Sequence, residues 1–325
     1  MGAFIEVTET GGPEVLNLAQ RDTPKPAAGE ALVRHTSIGL NYIDIYFRTG
    51  LYPAPTMPFT PGMEGAGVVE AVGDGVSNVK HGDRVAYASA PVGAYAEERL
   101  IAADRLVKVP DGISDDEAAA MMLKGMTAQY LLRQTFRVKE GQTVLFHAAA
   151  GGVGLIAGQW GKSLGATMIG TAGSPEKIEL AKANGYHHVI NYRDEDFVEQ
   201  VAEITGGAKC AVGYDSVGKD TFPGSLDCLK PRGMWASFGQ SSGKLPEVDL
   251  GILSAKGSLF ATRPTLFNYI ASRPELEETA GELFDVVHSG AVKIAINQTF
   301  PLADAKAAHE ALEGRKTVGS TLLKP

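Results

Sequence analysis

The sequence predicts a two-domain α/β protein, in which a β-rich, barrel-like module precedes a doubly wound parallel sheet. The chain has 325 residues, more than the ~150 residues of a typical domain. Short strand patterns joined by Gly and Pro turns occupy residues 1–123, whereas strands alternate with helices from residue 143 onward. The 39 glycines give a share nearly double the ~7% average, which is typical of folds with tight turns and close backbone approaches.

Residues 1–123 form the first predicted domain. Residues 31–35, 65–72 and 83–87 have strand patterns, and glycine-rich turns separate them. The pattern changes at Ser114, which is a good N-cap, because Glu117 three residues later completes a capping box. We expect a helix to begin there and to lead into the second domain.

Residues 124–264 form the second predicted domain. Its strands are predicted near residues 143–149, 167–171, 187–192, 210–215, 232–238 and 257–262. The clearest helix between them spans residues 153–164, where Ile156, Trp160 and Leu164 are spaced to face the sheet. Six strands that alternate with helices in this order predict a Rossmann-type domain.

Residues 265–325 form a return segment. Its predicted elements are helices near 266–271 and 275–289, a strand at 292–296, a helix at 303–312 and a strand at 320–323. About sixty residues are too few for an independent third core. We therefore expect this segment to pack on the first domain.

The charge and composition exclude several classes of function. A formal net charge of −8 disfavours nucleic acid or an anionic membrane as the main partner. No apolar stretch reaches the ~18 residues that span a bilayer, and residues 1–7 do not have a signal-peptide pattern. Cys210 and Cys228 are the two cysteines; they match no zinc site and suit a reducing compartment. We expect a cytoplasmic protein.

A dinucleotide site is predicted at residues 143–154, where a strand, a small-residue turn and a helix start follow one another. Ala149, Gly151 and Gly154 occupy the positions of the G-x-G-x-x-G pattern. Gly151 and Gly152 let the backbone approach a pyrophosphate, and the helix that starts near Val153 offers N–H groups and a positive dipole. The alternative is a turn that serves only tight packing.

The end of the next strand favours NADPH over NADH. An acidic residue ~20 positions after the glycines would bind the ribose of NAD, but the strand ends Gly173-Ser174-Pro175 without an acid. Ser174 and Pro175 suit the N-cap and N1 positions of a helix. Lys177 then lies at N3, where the helix dipole disfavours a cation. A bound 2′-phosphate explains this lysine, and a solvated lysine is the alternative.

Further cofactor contacts are predicted at the carboxyl ends of the other parallel strands, where ligands bind in such sheets. Tyr192 is a candidate to stack on adenine, or else a tyrosine at the edge of the core. Asp215 is either an acid of the site or a cap of its strand. The candidates beside the ribose and nicotinamide are Ser216, Val217, Phe238, Gly239, Gln240 and Ser241.

The segment from Pro61 to Val69 indicates that the chemistry does not use zinc. It resembles the zinc-alcohol-dehydrogenase signature G-H-E-x-x-G, but Met63 stands where the zinc-binding histidine belongs. A thioether is a weak ligand for Zn²⁺. The seven histidines show no ligand spacing elsewhere, so no metal is expected.

Together these motifs resemble the zinc-independent quinone oxidoreductase family of the medium-chain dehydrogenase/reductase superfamily. The similarity covers the full chain, and its specific parts are residues 39–44, 46–53 and 148–155. The resemblance implies hydride or electron delivery from NADPH to quinones. It also implies a GroES-like domain followed by a Rossmann domain, and a homodimer paired through Rossmann edge strands.

The resemblance also implies roles for residues outside the glycine-rich turn. Asn41 and Asp44 match an N-x-x-D motif near the nicotinamide, with Tyr42 inside it. Tyr46 and Tyr52 would line the quinone pocket, and either tyrosine or solvent would supply the proton. The further candidate contacts with NADPH are Tyr46, Thr127, Tyr130, Arg263 and Arg315, of which both arginines have ordinary surface positions as the alternative.

Two other functions remain open at this point. The same scaffold suits an alkenal or enone reductase, which reduces a C=C bond conjugated to a carbonyl. A non-catalytic NADPH-binding protein, crystallin-like or RNA-binding, is the alternative from another class. The net charge of −8 weighs against RNA.

Overall fold

A computed structural model of the chain describes residues 1–54 and 56–325. The chain divides into two units. The first unit comprises Met1–Met126, Ile270–His288 and Ile294–Pro325, and the second comprises Thr127–Tyr269 and Ser289–Lys293. The domain boundaries at 123/124 and 264/265 stay predictions. Within the described residues, no helix is long and apolar enough to cross a membrane.

The strands follow one another along the chain in three groups. Those of the first group are β1 (Gly2–Glu6), β2 (Asn17–Arg21), β3 (Glu30–Leu40), β4 (Glu64–Val72), β5 (Arg84–Ala88), β6 (Glu98–Ala102) and β7 (Val107–Lys108). The second group comprises β8 (Thr143–Phe146), β9 (Thr167–Ala172), β10 (His188–Asn191), β11 (Cys210–Asp215), β12 (Leu229–Ser237) and β13 (Phe260–Thr262). The last two are β14 (Ile296–Pro301) and β15 (Ser320–Lys324).

Of the ten α-helices in the described residues, five lie between strands of the second group. They are α1 (Tyr42–Arg48), α2 (Asp115–Gln129), α3 (Gly152–Ser163), α4 (Pro175–Ala183), α5 (Phe197–Ile204), α6 (Gly224–Asp227), α7 (Gly251–Ala255), α8 (Leu266–Tyr269), α9 (Arg273–His288) and α10 (Ala305–Glu313). A π-helical turn, Tyr130–Thr135, follows α2 directly.

The first unit is built on a mostly antiparallel sheet. Among the residues that the structure describes, its strand order is β14-β15-β3-β4-β5-β7, with β6 also paired to β3. Apolar side chains from these strands and from α10 form one core, which includes Ile38, Val69, Val85 and Leu323. Strand β15 of the return segment pairs with β3 antiparallel. Ile270–His288 and Ile294–Pro325 belong to the first unit, whereas residues 265–269 and Ser289–Lys293 belong to the second.

The second unit contains a parallel sheet in the order β10-β9-β8-β11-β12-β13. Counted from β8, this order is 3-2-1-4-5-6, which is the Rossmann arrangement. The predicted α/β class with a doubly wound parallel sheet is confirmed. Cys210 and Cys228 are buried in the core of this unit and have free thiols.

The helix start predicted at Ser114 is confirmed, whereas the predicted position of one strand was wrong. Ser114 and Glu117 form the predicted capping box, with Glu117 N–H donating to Ser114 Oγ at 3.2 Å. The strand predicted at 292–296 lies instead at Ile296–Pro301. Its partner β15 begins at Ser320, which pairs with Ile296. The backbone groups of Lys293 bind the side chain of Gln159 instead.

A buried ion pair joins α2 to the start of β4. Glu64 is fully buried, and one carboxylate oxygen accepts from Lys124 Nζ at 3.1 Å and from Asn41 Nδ2 at 2.7 Å. The other oxygen accepts the backbone N–H of Leu123 at 2.7 Å. The carboxylate is thus surrounded by donors, as a buried charge requires.

We predict that Lys124→Met lowers the free energy of unfolding by about 3 kcal/mol or more, because it leaves Glu64 charged and buried without its cation. Urea unfolding followed by circular dichroism measures this loss. The matched control is Lys182→Met, which breaks an exposed pair with Glu179 and should cost less than about 1 kcal/mol. Equal losses in the two variants would contradict the role given to the buried pair.

Candidate functional site

The glycine-rich turn lies between β8 and α3 in the second unit. Ala148 has a left-handed backbone with φ 55°, and α3 begins at Gly152 with Gly151 as its N-cap. A Cβ on Gly154 would lie 2.5 Å from the carbonyl oxygen of Ala148, so the turn requires glycine there. Among the described residues, a Cβ on Gly151 would meet only that same oxygen, at 3.2 Å. The space over Gly151 is otherwise open.

This turn fits a pyrophosphate. The first N–H groups of a helix have no partner within the helix, and at α3 they belong to Gly152, Val153 and the residues after them. The open face of Gly151 lets an anion approach these donors, and the helix dipole favours negative charge.

The loop after β9 brings the predicted 2′-phosphate residues together. Ser174 is the N-cap of α4 and its hydroxyl accepts from Lys177 N–H at 3.4 Å, so Lys177 lies at N3, as predicted. The hydroxyl of Tyr192 lies against Gly173, where a Cβ would collide with it. Tyr192 is 42% exposed, so its ring is not part of the core.

The loops after β11 and β12 lie side by side. Ser241 N–H donates to Ser216 O at 3.1 Å, and Phe238 N–H donates to Asp215 O at 2.8 Å. The structure therefore brings together the candidates predicted for this edge, namely Ser216, Val217, Phe238, Gly239, Gln240 and Ser241. Asp215 is fully buried and accepts the N–H groups of Val217 and Gly218, which makes it a cap of its strand.

Tyr130, Thr127 and Arg263 occupy the same unit. Tyr130 opens the π-helical turn and stacks on Tyr269, with ring centroids 4.5 Å apart; burial raises the pKa of Tyr130. Arg263 donates to Ser237 O at 2.7 Å, directly before Phe238. Thr127 is buried near the start of the unit. Departures from α-helical geometry such as this π-helical turn are frequent at functional sites.

Asn41 and Asp44 form the start of α1 in the first unit. The carboxylate oxygen Oδ2 of Asp44 accepts from Asn41 N–H at 2.9 Å and from the Tyr95 hydroxyl at 3.0 Å. Asp44 is fully buried, and its Oδ1 has no hydrogen-bond partner among the described residues. Burial raises the pKa of Asp44 to about 7, against the hydrogen bonds from Asn41 and Tyr95.

Three tyrosines of this unit form one cluster beside α1. The ring centroids of Tyr42 and Tyr46 are 5.7 Å apart, and those of Tyr46 and Tyr52 are 5.1 Å apart. Burial raises the pKa of Tyr42, while the positive charge of Arg315 opposes this rise. Arg315 is therefore close enough to Tyr42 for its charge to act on that hydroxyl.

Sequence reasoning missed the buried polar residues behind Asp44. Arg48 donates to His309 Nδ1 at 3.0 Å, and His309 Nε2 lies 3.0 Å from the Tyr95 hydroxyl. Burial, together with the charge of Arg48, lowers the pKa of His309 to about 3. Arg48 also binds both carboxylate oxygens of Glu313. Arg48 and His309 are 261 positions apart, and no local pattern links them.

The described residues contain no group of three or more His, Cys, Asp or Glu side chains that could hold a metal ion. Met63 is buried, and the neighbouring Glu64 already accepts from Lys124, Asn41 and Leu123.

Comparisons with known proteins agree with this architecture. Residues 27–111 match the model of the alcohol dehydrogenase GroES-like domain, and residues 152–286 match that of the zinc-binding dehydrogenases. A quinone oxidoreductase of Pseudomonas aeruginosa is 53% identical over the full length of both chains. A 2-haloacrylate reductase of a Burkholderia species is 46% identical, with 98% of each chain covered.

A solved structure extends the similarity to three dimensions. The Escherichia coli quinone oxidoreductase complexed with NADPH superposes with a TM-score of 0.98 at 51% identity, covering 99% of this chain and 100% of that chain. Identity and coverage of this size, together with both domain matches, show the family. The chain therefore belongs to the quinone oxidoreductase family of the medium-chain dehydrogenase/reductase superfamily.

Proposed function

We propose that this protein reduces quinones with NADPH and without zinc. The observation that carries the NADPH part of the proposal is the arrangement of loops at one edge of the parallel sheet in the second unit. The open glycine-rich turn and Lys177, at the start of α4, both lie at this edge. The relatives named quinone oxidoreductase support the substrate class.

The residues of the second unit would hold the cofactor along its whole length. Gly151, Gly152 and Val153 would bind the pyrophosphate through backbone N–H groups. Gly173, Ser174, Lys177 and Tyr192 would hold the adenosine end with its 2′-phosphate. The residues proposed for the ribose and nicotinamide end are Thr127, Tyr130, Ser216, Val217, Phe238, Gly239, Gln240, Ser241 and Arg263.

The residues of the first unit would bind and orient the acceptor. NADPH supplies a hydride when bound. A quinone is an intrinsically good acceptor, so positioning and exclusion of water carry much of the rate. We assign Tyr46 and Tyr52 to the quinone, Asn41, Tyr42 and Asp44 to the nicotinamide side, and Arg315 to the cofactor. The proton comes from Tyr46, Tyr52 or solvent.

A second candidate function is reduction of a C=C bond conjugated to a carbonyl or carboxylate. The relative that favours it is the 2-haloacrylate reductase at 46% identity. Both reactions take a hydride onto an electron-poor carbon, so the same scaffold suits either acceptor. Which acceptor is reduced faster depends on the side chains that bind it.

We also propose a homodimer that forms through the edge of the parallel sheet, in a reducing, cytoplasmic compartment. Strand β13 lies at one edge of this sheet. Phe260 on that strand is 59% exposed, and Leu250 near it in sequence is 73% exposed. Large exposed apolar side chains on a sheet edge favour pairing with a second copy. The two free thiols support the compartment.

The first test concerns Lys177. We predict that Lys177→Ala raises the Kd for NADPH about tenfold, because a charge-assisted bond to a phosphate contributes about 1.5 kcal/mol or more. The Kd for NADH should stay within about twofold, since NADH has no 2′-phosphate. Fluorescence titration measures both constants, with Lys182→Ala on the same helix as the control. A parallel loss for NADPH and NADH would exclude the phosphate role.

The second test compares acceptors for the unmodified enzyme. We predict that kcat/KM with 1,4-benzoquinone exceeds that with 2-chloroacrylate by at least about tenfold, a difference of ~1.4 kcal/mol in transition-state stabilisation. NADPH oxidation should be unchanged by a zinc chelator. A preference for 2-chloroacrylate would select the second candidate function, and loss of activity on chelation would contradict the proposed zinc independence.

The third test concerns the sheet edge. We predict that Phe260→Glu converts the dimer to a monomer in analytical ultracentrifugation, because the new charge is buried in both copies at a two-fold interface and an unpaired buried charge is strongly destabilising. The control is Leu18→Glu, an exposed apolar position on β2, which should leave the dimer intact. A monomeric wild-type protein, or a dimeric Phe260→Glu variant, would refute this interface.

A further inference from the structure

A fully buried chain of polar side chains runs beneath the cofactor loops of the second unit. His147 follows β8 directly, immediately before the glycine-rich turn, and is buried. Its Nδ1 lies 3.0 Å from Thr171 Oγ1 at the end of β9. Its Nε2 lies 3.0 Å from the Ser225 hydroxyl on α6, which in turn donates to Asp215 Oδ2 at 2.9 Å. No part of the proposed function uses these residues.

The hydrogen bonds in this chain have one direction. The Ser225 hydroxyl has a single proton, and the Asp215 carboxylate is the strongest acceptor near it. Ser225 Oγ therefore accepts from His147 Nε2–H, which leaves Nδ1 to accept from the Thr171 hydroxyl. Burial lowers the pKa of His147 against the charge of Asp215, so the ring is neutral and has one N–H to donate.

The hydrogen-bond chain ends at the carboxylate of Asp215, which accepts hydrogen bonds from several elements. Asp215 Oδ1 accepts from Val217 N–H at 2.9 Å, from Gly218 N–H at 3.0 Å and from the Thr221 hydroxyl at 2.9 Å. Trp235 Nε1 on β12 donates to Oδ2 at 3.3 Å. Burial opposes the charge, but the hydrogen bonds from Gly218, Thr221 and Val217 lower the pKa of Asp215. The carboxylate is ionised and cannot turn without losing several bonds.

The serine, histidine and aspartate do not form a hydrolytic triad. In a triad the histidine lies between the other two residues and takes the proton of the serine. Here Ser225 lies in the middle and donates to Asp215, and all three side chains are buried. The arrangement holds the loops in place and does not attack a substrate.

We propose that His147 is a positioning residue for NADPH, which couples the three loops that hold the cofactor. The inference rests on the proposed function. His147 precedes the turn that contains Gly151, Thr171 precedes Gly173 by two residues, and Asp215 fixes Val217 and Gly218. The hydrogen-bond chain therefore connects, through the imidazole of His147, the three loops proposed to hold the pyrophosphate, the 2′-phosphate and the nicotinamide of NADPH.

The side chain at position 147 has to accept on one side and donate on the other. A neutral imidazole does both across its ring, whereas a phenyl ring of similar shape does neither. His147→Phe leaves the buried Thr171 hydroxyl without its acceptor and removes the N–H that Ser225 Oγ accepts, although Ser225 still donates to Asp215. A buried hydroxyl without its partner is costly. The expected consequence is movement of the β9 and β11 loops relative to the glycine-rich turn.

The experiment measures the Kd for NADPH of the full chain by fluorescence titration. We expect His147→Phe to raise this Kd about tenfold or more. The matched control is His35→Phe in the first unit, where a buried histidine also bridges two groups, Ala96 O and the Tyr87 hydroxyl, each at 2.6 Å. Both variants should lower Tm, but His35→Phe should leave the Kd for NADPH within about twofold. Equal Kd values for the two variants would overturn the proposal.

A double-mutant cycle tests the coupling if His147→Phe does not fold. Thr171 and Ser225 contact His147 on opposite sides, so Thr171→Val and Ser225→Ala should act additively unless the imidazole links them. We expect the Kd of the double variant to fall short of the product of the single effects by at least about threefold. We also expect Thr171→Val to speed hydrogen exchange at Val217 and Gly218. Additive effects with unchanged exchange would overturn the coupling.

The outcomes separate this inference from the proposed function. A wild-type chain that does not bind NADPH would refute the proposed function itself. A wild-type chain that binds NADPH, with a His147→Phe variant that binds equally well, would refute only the role of His147.

Discussion

Each unit of this protein is organised around a buried carboxylate that must be surrounded by donors. In the second unit this is Asp215, which accepts from the loop that follows it, from α6 and from β12. In the first unit it is Glu64, which accepts from Lys124, Asn41 and Leu123. An unpaired charge in either place would cost several kcal/mol. The groups that donate to these carboxylates are therefore held in place. Two of them, Asn41 and Val217, are candidate site residues.

The order of the parallel strands determines where the cofactor residues meet. Because β8 lies at the centre of the sheet, with β9 on one side and β11 on the other, the loops after these strands share one edge. The glycine-rich turn and Val217 belong to those loops, and Lys177 lies in the first turn of α4, directly after the loop that follows β9. Residues that are far apart in sequence thus contribute to one groove without any long-range sequence signal of their own.

Local sequence patterns predicted most of the fold. The features that they missed depend on contacts with residues far away in the sequence. The capping box at Ser114 and the N-cap at Ser174 are complete within three or four residues, so the sequence alone located both helix starts. Strand β14 was misplaced because its bounds depend on Ser320, which lies beyond a helix. The same limit applies to the candidate site. His147 and Ser225 are 78 positions apart in the sequence, and their proposed role depends on the hydrogen bond between them.

The surroundings of Met63 support the proposed zinc independence more strongly than the missing histidine alone. The neighbouring Glu64 is the acidic residue of the signature that Met63 interrupts, yet its carboxylate already binds an ammonium group, an amide and a backbone N–H. A carboxylate satisfied in this way has little to gain from a metal, because each new ligand bond would displace a charge-assisted hydrogen bond. The cation of Lys124 balances the charge of Glu64, and Asn41 is held at the end of that pair. In this chain an ion pair thereby positions the start of α1, where the proposed nicotinamide contacts lie.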